Sequence, residues 1–145
     1  MSTNKFLSKE EEQLVVQAIR DAEYQTGGEI RLHIETVCKG NVLDRAAGLF
    51  KSLKMHETAL RNGVLIYLST DDRKFAIIGD AGINAVVPAG FWNDVKELMI
   101  SHFSKGDLVG GFVLGIGKVG EKLKEFFPYK KEDTNELSDE ISYGK

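Results

Sequence analysis

The hydrophobic pattern of this chain switches between two periods. Leu14, Val15, Ala18, Ile19 and Ala22 recur three and four residues apart, which makes one apolar stripe on a helix of 3.6 residues per turn. Ser8 and Glu11 form a capping box ahead of the stripe, so the helix starts at Ser8, and Gly27-Gly28 ends it. From Glu29 to Val37 the period falls to two, with Ile30, Leu32 and Ile34 alternating against Glu29, Arg31, His33 and Glu35. Such alternation predicts a strand with one face in the core and the other in water. Gly40-Asn41 breaks the strand. Leu43, Ala46, Ala47, Phe50 and Leu53 then predict a second helix over Leu43–Leu60.

Val64–Ser69 is almost wholly apolar, as befits a central strand covered on both faces. The polar run Thr70-Asp71-Asp72-Arg73 leads into a third strand, Lys74–Gly79. So short a link makes a hairpin, hence an antiparallel pair. A helix between the first two strands favours a parallel, right-handed crossover, and the sheet is expected to be mixed. Pro88–Ser104 and Asp107–Phe127 supply two more helices. The last contains Gly110, Gly111, Gly115, Gly117 and Gly120. Each costs about 1 kcal/mol against alanine inside a helix, which predicts close packing of that face. After Pro128 the residues are mostly polar and without periodicity. The expectation is one α/β domain over residues 1–127 and a mobile tail over 128–145.

The topology also gathers polar groups. In a parallel pair followed by an antiparallel strand, Glu29, Asn62 and Asp80 share one end of the sheet, while Asp71 and Asp72 lie at the other. Asp80 stands between Gly79 and Gly82, and Asp107 follows Gly106. Glycines let backbone pass close to other groups, so carboxylates between them suit a hard, oxygen-only site for Ca²⁺ or Mg²⁺ rather than zinc. Glu29, Asp80 and Asp107 are the candidate metal ligands. Each aspartate also has a plainer reading: Asp80 closes a strand and Asp107 caps a helix. His33, His56 and His102 show no ligand spacing and read as surface or helix-flank residues. Cys38, the only cysteine, reads as an inert strand-end thiol. No phosphate-binding loop, no DxDx[TV] nucleophile, no Cys-x5-Arg loop and no serine with a plausible base is found. Trp92, after the turn Pro88-Ala89-Gly90, is a candidate anchor for a protein partner.

The segments GGEI, RKFAIIGDAGI and FSKGDLVGGFVLGIGKV, in this order around Pro88, are similar to the TPM domain, a family named after a thylakoid acid phosphatase. The resemblance runs from about Leu7 to Phe127. It implies a three-layer α/β/α sandwich with helices on both faces of a small mixed sheet. It also implies divalent-metal binding by carboxylates, with Asp107 close to Asp80, and, for some members, phosphatase activity on phosphoesters. Many members carry a signal peptide and a membrane anchor; neither is expected from this sequence.

Composition changes little in this picture. The 145 residues are 42% hydrophobic and 28% charged, ordinary for a soluble domain with a real core. A net charge of −3 gives no general attraction to nucleic acid or anionic membrane. No apolar run reaches the roughly 20 residues of a membrane span. The sequence therefore reads as a cytoplasmic, monomeric domain that binds a divalent cation, with a metal-dependent phosphatase as the alternative.

Overall fold

Four strands make the sheet: β1 (Glu29–Glu35), β2 (Gly63–Ser69), β3 (Lys74–Gly79) and β4 (Ser142–Tyr143), in the order β3-β2-β1-β4. The computed structural model describes residues 7–24, 26–128 and 141–144. β1 and β2 are parallel, with Glu29 opposite Gly63, and β2 and β3 form the antiparallel hairpin. Every residue of β2 is buried, as its apolar run requires.

The period of two sorts side chains to opposite faces of the sheet. Ile30, Leu32, Ile34, Val64, Ile66, Phe75 and Ile77 face α1 (Lys9–Glu23), α4 (Phe91–Phe103) and α5 (Leu108–Phe126), which contribute Val15, Ile19, Met99, Phe112 and Ile116. Leu65, Tyr67, Ala76 and Ile78 face α2 (Val42–Ser52) through Ala46, Leu49 and Phe50. Helices on both faces of a mixed sheet make the three-layer α/β/α architecture. A one-turn helix, α3 (Ala81–Asn84), follows β3. α2 stops at Ser52, short of the expected Leu60, because Lys54 takes a left-handed conformation and a 3-10 turn, Met55–Glu57, follows. Among the described residues, no helix is long and apolar enough to cross a membrane.

Two expectations are corrected. Glu29, His33 and Glu35, expected to face water, are 2–4% exposed, because charged and hydrogen-bonding partners from other elements cover that face. The expected tail lies partly outside the described residues, at 129–140 and 145. Residues 141–144, however, pack on the domain: Ile141 enters the core, β4 pairs in parallel with β1, and Tyr143 Oη donates to Glu12 Oε2 at 2.5 Å. The fold thus extends beyond residue 127.

The glycine-rich α5 is packed closely. A Cβ on Gly115 would overlap the Met99 side chain, and one on Gly120 would lie 2.6 Å from Ala22 Cβ on α1. Gly115→Leu is therefore expected to lower stability by about 1–3 kcal/mol through overpacking, although relief of glycine in an open helix position stabilises by about 1 kcal/mol. A denaturant midpoint at or above that of wild type would show the face to be open.

Candidate functional site

Glu29, Gly63 and Asp80 form one row across the starts of β1 and β2 and the end of β3, since the Asp80 amide donates to Gly63 O at 2.9 Å. Residues in register present their side chains on the same face, so the two carboxylates flank a position with no side chain. Met55 O lies 3.0 Å from where a Cβ on Gly63 would be. Asp80 is the N-cap of α3 and accepts from Ala81 N at 2.8 Å. Its oxygens are also gripped by Arg61, with Nε to Oδ2 at 2.6 Å and Nη2 to Oδ1 at 2.7 Å. Burial would raise the Asp80 carboxyl, but the guanidinium and the Ala81 amide outweigh it and hold the pKa below the ordinary carboxylate value. Bidentate charge-assisted pairs of this kind are the strong ones. At the same edge, Asn62 is 1% exposed; its Nδ2 donates to Gly27 O, while its Oδ1 is buried without a hydrogen-bond partner.

Asp107 is elsewhere. It is the N-cap of α5, accepting from Gly110 N at 2.9 Å, and its other oxygen meets His102 Nδ1 at 3.0 Å. The His102 contact, then the Gly110 amide, lowers its pKa. α4 decides its place. Trp92, in the first turn, lies over Gly79 at the end of β3, whereas Phe103, in the last turn, packs on Phe75 near its start, with ring centroids 5.3 Å apart. The eleven steps along the helix from Trp92 to Phe103 span roughly 16 Å of helix axis. Asp107, tied to the last turn, therefore sits at the opposite end of β3 from Asp80. The structure brings Glu29 to Asp80 and does not bring Asp107 to either. Asp107 caps a helix, as its plainer reading has it, and Asp80 both follows β3 and caps the one-turn helix α3.

A second polar group, missed by sequence reasoning, occupies the far end of β1. Glu35 accepts from Arg45 Nε at 2.9 Å and Arg45 Nη2 at 2.7 Å, from Tyr67 Oη, and from His33 Nε2 at 3.2 Å. His33 Nδ1 in turn meets Ser142 Oγ at 2.8 Å, and its ring stacks on Tyr67. Burial pushes the Glu35 carboxyl up, but its donors prevail and hold it at about 2. The only sequence signal was the repeated polar position along β1. Asp72, in the link from β2 to β3, accepts from Cys38 N and from Ser69 Oγ. Trp92 is half-buried, donates to Asn84 Oδ1 at 2.8 Å and packs edge-to-face on Phe91.

Residues 1–122 match the pattern of the TPM domain. The chain belongs to the TPM domain family. Among solved structures it is similar to the BA42 protein of the psychrophilic bacterium Bizionia argentinensis, with 46% identity, a TM-score of 0.90 and 99% of each chain covered. It also shares its fold with the N-terminal domain of a P. gingivalis protein (20% identity, TM-score 0.71, covering 87% of this chain and 83% of that one). A third likeness is the N-terminal domain of a Corynebacterium glutamicum protein (13% identity, TM-score 0.66, covering 83% and 76%). No curated protein matches the chain.

Whether this TPM domain has the donors for a divalent cation turns on the Asp80 edge. Among the described residues, no group of three or more His, Cys, Asp or Glu could hold a metal. The donors that are present, two carboxylates, the Asn62 Oδ1 and the Met55 carbonyl, are all oxygen, which is the chemistry of a hard cation. The Arg61 guanidinium supplies the positive charge beside Asp80.

Proposed function

We propose that this TPM domain is a binding module whose Asp80 edge takes Ca²⁺ or Mg²⁺. Asp80 and Glu29 would be its carboxylates, with Asn62 Oδ1 as a neutral donor and Asp107 outside the site. The observation that carries this reading is the buried Asn62 Oδ1, left without a hydrogen bond at the edge where both carboxylates lie. A buried acceptor without a donor is costly, and a cation would satisfy it. Arg61 competes for Asp80; its side chain is about half exposed and leaves by rotation, without disturbing the core.

Calorimetric titration with each ion tests the proposal. Asp80→Asn is expected to weaken binding at least tenfold, Arg61→Ala to strengthen it severalfold, and Asp107→Asn to leave it unchanged. Absence of binding in both wild type and Arg61→Ala, or equal affinity in Asp80→Asn, would sink the idea. Metal-dependent hydrolysis of a phosphoester that is lost in Asp80→Asn would favour the phosphatase alternative over a pure binding module.

A further inference from the structure

We propose that Ser142, His33 and Glu35 form a nucleophile relay that activates the Ser142 hydroxyl for attack on an acyl ester. The relay lies at the end of β1 remote from the Asp80 edge. Glu29 and Glu35 are six residues apart on one strand, roughly 20 Å, so the two sites are independent.

The geometry assigns each proton. Glu35 is ionised and can only accept, so the proton between it and His33 resides on Nε2 of the imidazole. Burial lowers the pKa of His33 although Glu35 opposes the change, so near neutral pH the ring is a neutral base. Its Nδ1 is then a bare lone pair, and the Ser142 hydroxyl, 2.8 Å away, donates to it. This is the base-to-hydroxyl and base-to-orienting-carboxylate arrangement required of an activated serine.

The base and its orienting carboxylate are held from several sides. Glu35 has both oxygens engaged by Arg45, with Tyr67 on one and His33 on the other. The Tyr67 ring lies parallel to the imidazole at 8° and 5.9 Å. Gly144 passes so close that a Cβ there would overlap Glu35 and lie 3.0 Å from His33 Nε2. Ser142 itself is half-buried and lies on the edge strand of the sheet.

In the proposed reaction, Ser142 Oγ forms a bond to the acyl carbon while its proton passes to His33 Nδ1. The ester C–O bond breaks and His33 returns the proton to the leaving alcohol. Water, deprotonated by the same nitrogen, then releases the acid and restores the hydroxyl.

The test uses the whole chain and a fluorophosphonate reagent, whose phosphorus–fluorine bond is displaced by an activated serine. Peptide mass mapping is expected to place a single adduct on Ser142, absent from Ser142→Ala and formed about a hundredfold more slowly in His33→Gln, the scale of general-base assistance. Turnover of p-nitrophenyl acetate is expected to fall in parallel. Ser142→Ala removes one half-buried hydroxyl and spares the core, so it decides the matter alone if His33→Gln fails to fold. No adduct, an adduct on another residue, an unchanged rate in folded His33→Gln, or unchanged ester turnover in Ser142→Ala would overturn the proposal.

Discussion

Glu35→Ala is expected to destabilise the protein by about 2–4 kcal/mol, the cost of leaving the buried Tyr67 hydroxyl and His33 imidazole without their acceptor and the half-exposed Arg45 without its partner. The carboxylate is 4% exposed and serves Arg45, Tyr67 and His33 together, so its loss strands several donors at once. The same group predicts an acid limb. Its pKa is lowered from 4.5 to about 2, so its contribution is fully present above about pH 4.5 and is lost as pH falls toward 2. A displacement of that size corresponds to about 3 kcal/mol. Denaturant unfolding across this range should show wild type losing stability more steeply than Glu35→Ala, which keeps only the contributions of the other lowered carboxylates such as Asp80 and Asp107. Parallel curves for the two proteins would mean that other carboxylates govern the acid transition.

The second large effect is expected at Gly82. A Cβ there would overlap the carbonyl oxygen of Leu60 and lie 2.7 Å from that of Arg61. Both are backbone atoms, and the Gly82 amide already donates to Arg61 O at 2.8 Å, so neither side can give. Gly82→Ala should cost about 3 kcal/mol, at the upper end of overpacking penalties, and lower the melting temperature by roughly 10 °C. Helix propensity alone predicts the opposite sign, a gain of about 1 kcal/mol. The variant should also displace Arg61 from Asp80, detectable as a shift of the Arg61 Nε–H resonance. A melting temperature at or above wild type would show that the segment before β2 is free to move.

Much of the fold was legible because it depends on local pattern. The apolar run of β2, the four-residue link into β3 and the capping box at Ser8 each specify an element from neighbouring residues. The polar row of β1 was misread because a period of two reports that a face is polar, not what covers it. Arg45, Tyr67 and Ser142, the partners that dry that face, lie 10, 32 and 109 residues from the groups they meet. β4 was missed for a related reason: two residues in a charged stretch carry no period, and only pairing with His33 and Ile34 makes them a strand. The shared end of Glu29 and Asp80 followed from strand order. The place of Asp107 did not, because it depends on the direction in which α4 crosses the sheet.

β1 has a parallel neighbour on each side, and neither is local to it: β2 follows a helical crossover, and Ser142 returns across 109 residues. Chain entropy opposes such long closures until the rest of the molecule is in place. Docking of β4 is thus a late folding event, and weakening it should speed unfolding while leaving the folding rate nearly unchanged. In the native ensemble the same contact is the natural first opening. The Gly144 amide, which donates to Ile34 O, would exchange with solvent ahead of the β2 amides, by a local excursion rather than by global unfolding.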